Sequence, residues 1–437
     1  MGKRAWKMAR VEGLWGLLAF IVGTGQRKAE NRSMKFTNEH ARAHLLAGMA
    51  LMFACLGMSA CSVGGLGGSN SGSNLAGTSP RGAPAGGAVK VALLLPLTGN
   101  VNAQQVAKAM KQAAELALFD FDKPNVKLIP KDTHGTPDGA RQAAQDAIKE
   151  GAELVIGPLF ANEVSAVAPV AQAAGVPVLA FSSDRNVAGN SVYLLSFVAG
   201  SDVPRMISYA ISKGKTRFAA LFPQNDYGRI VEQAFNRAVQ ENRAQVVMTK
   251  TYPPDANGMM QPVKEISALA KKGAPPQVDA IFIPASGDTL PSLAPLFPYY
   301  EADTQAVKFM GLSGWDYIGV GKEAALQGGW FAAPDPKGWQ EFTKRYAETY
   351  GDTPPRLASL SYDAVSLAIS LSSNPPGQRF AASELTRSSG FQGVDGLFRL
   401  RPDGTAERGF AIMEVQRSGN QPIDAAPSAF GTAVAQY

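Results

Sequence analysis

The stretch KLIPKDTHGTPDGARQAAQDAIKEGAELVIGPLFANEVSAVAPVAQAAGVPVLAFSSD, residues 127–184, carries one pattern twice. Thr136, Pro137 and Asp138 read as a helix start: a side-chain cap, a first-turn proline and an acid favoured there by the helix dipole. Ala140, Ala143, Ala144, Ala147 and Ile148 then share one helical face, and Gly151 stops the helix. The apolar run Leu154–Ile156 reads as a strand. A second helix over Glu163–Ala173, a stop at Gly175 and a strand over Val176–Phe181 complete the repeat. Strands that are continuously apolar, alternating with helices, predict a parallel sheet covered on both faces.

The same rhythm runs outward from this stretch. Val89–Leu95 (VKVALLL) is a strand followed by a helical stripe of Val106, Ala109, Met110, Ala113, Leu116 and Ala117. After a helix near Val203–Ser212 come strand Phe218–Phe222, helix Gly228–Glu241, strand Gln245–Thr251 and helix Gln261–Lys271. Strand Ala280–Ile283, helix Leu290–Leu296, strands at Phe309–Gly311 and Gly328–Ala332, and helices Trp339–Tyr350 and Leu357–Leu371 follow. Two such series predict an α/β protein of two doubly wound parallel-sheet lobes. Near the end, Gly396–Leu400, the turn Arg401-Pro402-Asp403-Gly404 and Ala411–Gln416 read as a hairpin.

Composition removes several function classes. The 437 residues are 45% hydrophobic and 18% charged, as in a globular chain. The net charge of +6 lies wholly in residues 1–60, which hold nine Lys and Arg against three acids; the rest holds 33 of each sign. A basic footprint for nucleic acid is absent from the body. Of the three histidines only His134 lies beyond residue 60, and Cys55 and Cys61 are the sole cysteines, so neither a Cys/His zinc cluster nor a Cys–His nucleophile is predicted. No phosphate-cradling, dinucleotide or serine-nucleophile motif falls on a strand-to-helix turn, and no cofactor is expected. Paired-carboxylate chemistry is left without a motif.

Residues 1–60 read as a leader. LLAGMALMFACLGM, residues 45–58, is shorter than the ~20 residues a membrane span needs. With Lys35 and Arg42 ahead of it and Ser59-Ala60-Cys61 behind, it has the parts of a secretory signal. A second apolar run, residues 14–22, belongs to a long leader or precedes the true start; starting at Met34 leaves 27 residues before Cys61 and is preferred. Met58-Ser59-Ala60-Cys61 resembles a bacterial lipobox, with Met58 in place of the usual Leu, which makes Cys61 the expected lipidation site. Residues 62–88, rich in Gly, Ser, Asn, Pro and Ala, read as a tether spanning about 30 Å as a random coil. Ser62 after the cysteine resembles an outer-membrane sorting signal.

The words VKVALLLPLTG (89–99), residues 127–184 quoted above, LFPQNDYG (221–228), VDAIFIPASGDT (278–289) and SYDAV (361–365) resemble type I periplasmic binding proteins. The resemblance covers nearly all of 89–425 and is nearest to two branches. One is the leucine/isoleucine/valine-binding proteins; the other is the outer-membrane lipoproteins that activate penicillin-binding proteins, which IGPLFANEV (156–164) and FRLRPDGTAERGFAIMEV most resemble. It implies two lobes, three chain crossings and a ligand cleft between the lobes. Lobe one is expected from 89–203 and 334–400, lobe two from 204–333 and 401–437.

The resemblance also assigns candidate ligand contacts. In the amino-acid binders, hydroxyls after the third and fourth strands hold the ligand carboxylate; here those places read Phe160-Ala161-Asn162 and Phe181-Ser182-Ser183-Asp184. Tyr227 matches the lobe-two tyrosine, and Ser286 lies in the loop after Ile283. The acid that pairs with a ligand ammonium is replaced by Leu312-Ser313-Gly314-Trp315, with Asp316 just beyond. The candidate set is therefore Asn162, Ser182, Ser183, Tyr227, Ser286, Trp315 and Asp316. Most also have a structural reading: Ser182 and Ser183 as turn caps, Tyr227 and Trp315 as packing, Asp316, like Asp184, as a solvated loop acid. Thr98 and Gly99 are expected to shape a loop, His134 to lie on the surface, and Tyr362-Asp363 to be structural. The function expected first is a non-enzymatic periplasmic lipoprotein binding an amino acid or related polar solute for an ABC permease. The alternative is an outer-membrane lipoprotein that activates penicillin-binding proteins by direct contact.

Overall fold

The computed structural model describes residues 87–430 except Lys123, Pro254 and Ala256. The leader, Cys61 and nearly all of the tether lie outside the described residues.

The first lobe opens with β1 (Val89–Leu95), α1 (Val101–Asp120), β2 (Val126–Asp132), α2 (Pro137–Lys149), β3 (Leu154–Ile156), α3 (Ala161–Ala173), β4 (Val178–Ala180) and β5 (Val192–Leu194). Its strands make a parallel sheet in the order β2-β1-β3-β4-β5. Side chains alternate across β1: Val91, Leu93 and Leu95 pack with Val106 and Met110 of α1, while Ala92 and Leu94 pack on the alanine face of α2. Both faces are thereby buried, as continuously apolar strands require. The α2 start is as read from the sequence, with Thr136 Oγ1 accepting from Gly139 N–H at 3.1 Å. Strand β2 was not expected because Pro130 interrupts it; it sits at the sheet edge, where a missing N–H is tolerated.

The second lobe follows with α4 (Val203–Ser212), β6 (Arg217–Pro223), α5 (Asp226–Glu241), β7 (Gln245–Tyr252), α6 (Met260–Ser267), β8 (Ala280–Phe282), α7 (Leu290–Leu293), α8 (Leu296–Tyr299), β9 (Lys308–Gly311) and β10 (Trp330–Ala333). The chain then returns through α9 (Pro336–Tyr350), α10 (Ala358–Leu371), α11 (Ala382–Leu385) and a small antiparallel sheet of β11 (Phe391–Gly393), β12 (Gly396–Leu400) and β13 (Ala406–Arg408). Leu360, Ala364 and Val365 of α10, with Phe391, Phe398 and Leu400 of this sheet, share a core with β1, so these elements belong to the first lobe. Last come β14 (Ala411–Gln416) and β15 (Gly419–Asp424), which complete the second sheet, β15-β14-β10-β9-β8-β6-β7.

Two element readings are corrected. The expected pairing of 396–400 with 411–416 does not form: β12 pairs with β13 across the 401–404 turn, while β14 pairs with β10 and β15. The turn itself packs on the first lobe, Leu194 N–H donating to Gly404 O at 2.7 Å, so residues 401–408 do not join the second sheet. The helix expected over Leu290–Leu296 is two short helices, because Pro295 cannot continue the first.

Three segments link the lobes: 195–202, 334–335 and 409–410. At the third, Gly409 N–H donates to Leu397 O in the first lobe at 2.8 Å, and Phe410 O accepts from Arg205 Nε of α4 at 3.0 Å. The chain is therefore clamped to a different lobe on either side of one peptide.

Gly311 shows how tightly the second core closes, since a Cβ there would lie 2.2 Å from Trp315 Cε2. Gly311→Ala should cost roughly 1–3 kcal/mol through overpacking, read as a lower urea midpoint at unchanged slope.

Candidate functional site

In parallel sheets buried on both faces, polar groups gather beyond the carboxyl ends of the strands. Here the first crossing runs from one carboxyl edge to the other. Segment 195–202 leaves the carboxyl end of β5, and its last residue, Asp202, reaches the loop after β9: Asp202 Oδ2 accepts from Ser313 N–H at 3.2 Å and Ser313 Oγ at 2.9 Å. Burial holds the Asp202 carboxyl above the usual carboxylate range, against the two bonds from Ser313. Asp202 thus stands beside the stretch that carries no acid of its own, a placement that sequence separation concealed.

The candidates fall into two groups. Ser183 is half-buried beyond β4, Ser286 half-buried beyond β8, and Tyr227 half-buried at the start of α5, directly after β6. The side-chain hydroxyls of all three make no hydrogen bond among the described residues. Tyr227 packs against the aromatic core of the second lobe, where burial and then the charge of Asp202 push its hydroxyl pKa far up. The phenol stays neutral and can donate as well as accept.

The others are committed to the fold. Ser182 is buried and its Oγ accepts from Asp184 N–H at 3.2 Å, a turn cap. Asn162 is exposed with Oδ1 accepting from Glu163 N–H at 2.9 Å. Asp316 is exposed and accepts from Asn420 Nδ2 at 3.1 Å. Trp315, read as either a pocket wall or packing, is 0% exposed and its Nε1–H donates to Ile283 O at 2.9 Å, so it packs in the core. Tyr317 supports the Ser286 loop instead, its ring lying where a side chain on Gly287 would be.

On the first lobe, Asp132 ties the loops after β1 and β2 together. Its Oδ1 accepts from Leu97 and His134 N–H groups at 2.9 and 2.8 Å, and its Oδ2 from Thr98 Oγ1 at 2.6 Å. Burial alone would raise this carboxyl, but the bonds from Thr98 and the His134 and Thr98 N–H groups hold it below the usual range. His134 is exposed, as expected, with Nδ1 2.7 Å from Thr98 Oγ1. Because Thr98 spends its proton on Asp132, Nδ1 is the protonated nitrogen in this arrangement.

Sequence reasoning also missed Glu163. It is 0% exposed, with Oε2 accepting from Phe160 N–H at 3.2 Å and Oε1 unpartnered among the described residues. Burial raises its pKa, against the bond from the Phe160 N–H. The signal was a Glu in the first turn of a helix, a capping position. Its consequence is chemical: the amino end of α3, which resembles the carboxylate-binding end of the amino-acid binders, already holds an acid of the chain itself.

Comparison with known proteins decides the family. Residues 88–420 match the profile of the periplasmic binding protein family. The chain belongs to that family. Among solved structures it is similar to one from Rhodospirillum rubrum described as a branched-chain amino acid ABC transporter, with 18% identity over 77% of this chain and 100% of that one and a TM-score of 0.67. An ABC transporter substrate-binding protein from Sphaerobacter thermophilus gives 18% identity, 78% and 98% coverage and a TM-score of 0.59. A solute-binding protein of a Rhodopseudomonas palustris ABC transporter, solved with benzoate, gives 18%, 80% and 100%, and 0.50. At this identity the likeness establishes the fold. A curated relative, an uncharacterized protein of Rickettsia prowazekii (strain Madrid E), is 23% identical over 180 residues, 41% of this chain and 47% of that protein. The match thus spans about half of the relative's length.

The Asp202–Ser313 contact joins a crossing to the cleft loop. Asp202→Ala leaves the Ser313 N–H unpaired, while Ser313 Oγ keeps Ala332 O at 3.2 Å, and should cost about 1–3 kcal/mol. Combined with Ser313→Ala in a double-mutant cycle by urea unfolding, it should show a coupling of at least about 0.5 kcal/mol.

Proposed function

We propose that the protein is a non-enzymatic periplasmic receptor that holds an amino acid or related small polar solute between its lobes and presents it to an ABC-type permease. The observation that carries this reading is the set of free hydroxyls on Ser183, Tyr227 and Ser286, set beyond the ends of β4, β6 and β8. Groups of this kind, one on the first lobe and two on the second, suit a ligand that bridges the lobes as they close. Anchoring by lipid on Cys61, to the outer membrane in preference to the inner, belongs to the same proposal.

A thermal-shift screen against amino acids, short peptides and cell-wall fragments tests it. A cleft ligand at 100 times its Kd adds about 2.7 kcal/mol and should raise Tm by several degrees. Ser183→Ala and Tyr227→Phe should each reduce that shift; an unchanged shift in both would place the ligand elsewhere.

Glu163 favours a second reading. An acid at the amino end of α3 and the absence of one in Leu312–Trp315 reverse the charge pattern that the resemblance implies for a free amino acid. The same fold would then act as an outer-membrane activator of penicillin-binding proteins through protein contact. Silence across the ligand panel, with recovery of penicillin-binding proteins in a pull-down, would select this reading. Both readings require the anchor. Clickable fatty-acid labelling should mark the wild type and leave Cys61→Ala unlabelled, and equal labelling would remove the anchor from either.

A further inference from the structure

Arg408 is the least satisfied charge among the described residues. It is 6% exposed, and its Nε, Nη1 and Nη2 are all buried without a hydrogen-bond partner among those residues. The guanidinium lies between two aromatic rings, 4.9 Å from the centroid of Phe197 and 5.4 Å from that of Phe398. Cation–π contacts offset only part of the cost of removing such a group from water.

The charges around it are unevenly committed. Asp395 is 0% exposed and both its oxygens are used: Oδ1 by Arg356 Nη2 and Oδ2 by Ser359 Oγ at 2.6 Å. Asp363 is 1% exposed; its Oδ1 accepts from Val394 N–H at 2.7 Å, while Oδ2 is buried and unpartnered. The cluster therefore holds one unspent carboxylate oxygen and one unspent guanidinium, with Arg356, Asp395, Asp363 and Arg408 as its ionisable members. Burial pushes the Asp363 carboxyl up; Arg408 and Arg356 draw it down and Asp395 raises it, leaving it about 7. Its protonation accordingly changes near neutral pH.

The place of the cluster gives it leverage. Arg408 is the residue before Gly409, at the third crossing, while Phe197 lies on the first. Arg356 stacks on Trp339 of α9, just after the second, at 4.5 Å. One set of charges, buried except for the half-buried Arg356, touches the chain at or beside all three links between the lobes. Beyond Gly409, Phe410 is held by Arg205 of the second lobe, so a shift of Arg408 is passed to that lobe through a single residue, Gly409.

We propose that Asp363 and Arg408 form a proton-controlled hinge: ionised Asp363 draws the guanidinium into a direct ion pair, and protonated Asp363 releases it, resetting the angle between the lobes. The hinge stands on this geometry, and its pH window on the raised Asp363 carboxyl. Its effect on ligand affinity rests on the cleft-binding reading, so the test uses no ligand.

The full chain with Cys55→Ser and Cys61→Ser, spin-labelled through Gln172→Cys on α3 and Asn236→Cys on α5, reports the interlobe distance by pulsed electron resonance. Between about pH 5.5 and about pH 8.5, on either side of the Asp363 midpoint, the wild-type hinge should give two different distance distributions. Asp363→Asn should hold the acid distribution at both values, and Arg408→Met should abolish the pH dependence. Should Arg408→Met not fold, Arg408→Lys keeps the charge without the planar fork and should narrow the difference. One distribution at both pH values in the wild-type background overturns the proposal, as does a full pH response in Asp363→Asn. Failure of the ligand screen leaves this measurement untouched.

Discussion

The polar features of the cleft follow from burying the central strands of two largely parallel sheets, the second ending in antiparallel β14 and β15. Residues 91–95 of β1 serve α1 on one side and α2 on the other, so none of their side chains is left for chemistry. Whatever the protein recognises must meet the loops beyond the strand ends, where helices begin and N–H groups are free. The crossing at 195–202 joins the carboxyl edge of one sheet to that of the other, so the constraint that empties the strands also links the two edges.

Within those loops, most polar groups hold the loops themselves. Asp132 fixes the ends of β1 and β2 with bonds from Leu97, Thr98 and His134, and Ser182 caps its own turn. A loop rigid enough to position a hydroxyl needs such bonds, because an unsatisfied group near the core is costly. The hydroxyls of Ser183, Tyr227 and Ser286 are unbonded on half-buried residues, whereas those of Tyr252 and Tyr317 are buried without a partner among the described residues. A binding surface held by internal hydrogen bonds loses little freedom when it is occupied.

The architecture was legible because it rests on local signals. The Thr136 cap, the alanine face of α2 and the β3 run Leu154–Ile156 appear where the sequence places them. Errors arose where a tertiary partner overrides the local pattern. Pro130 hides an edge strand, and the 401–404 turn closes on Ala406–Arg408, a stretch too short and polar to read as β. For the site, residue types were legible and orientations were not. Nothing in Ser182-Ser183 tells which serine turns inward to cap its loop, and nothing local to Trp315 discloses that Ile283 O awaits its indole N–H. Asp202 was invisible for a different reason: its partner is 111 residues away.

The same distinction bears on Arg408. Replacing a buried ion cluster with apolar side chains of similar volume is often neutral or stabilising, so stability alone does not account for a guanidinium held without acceptors. A surface charge could be accidental, but one buried between Phe197 and Phe398 displaces apolar packing that the fold could otherwise use. Nor does the group complete a network, since Asp395 is saturated by Arg356 and Ser359. What it does have is a position beside Gly409, where one lobe's hydrogen bonds end and the other's begin. A charge left short of partners in one arrangement, with an unspent carboxylate in the same buried cluster, favours a second arrangement in which the two meet. Such a pair gives a hinge two discrete states where a well-packed apolar cluster would give one.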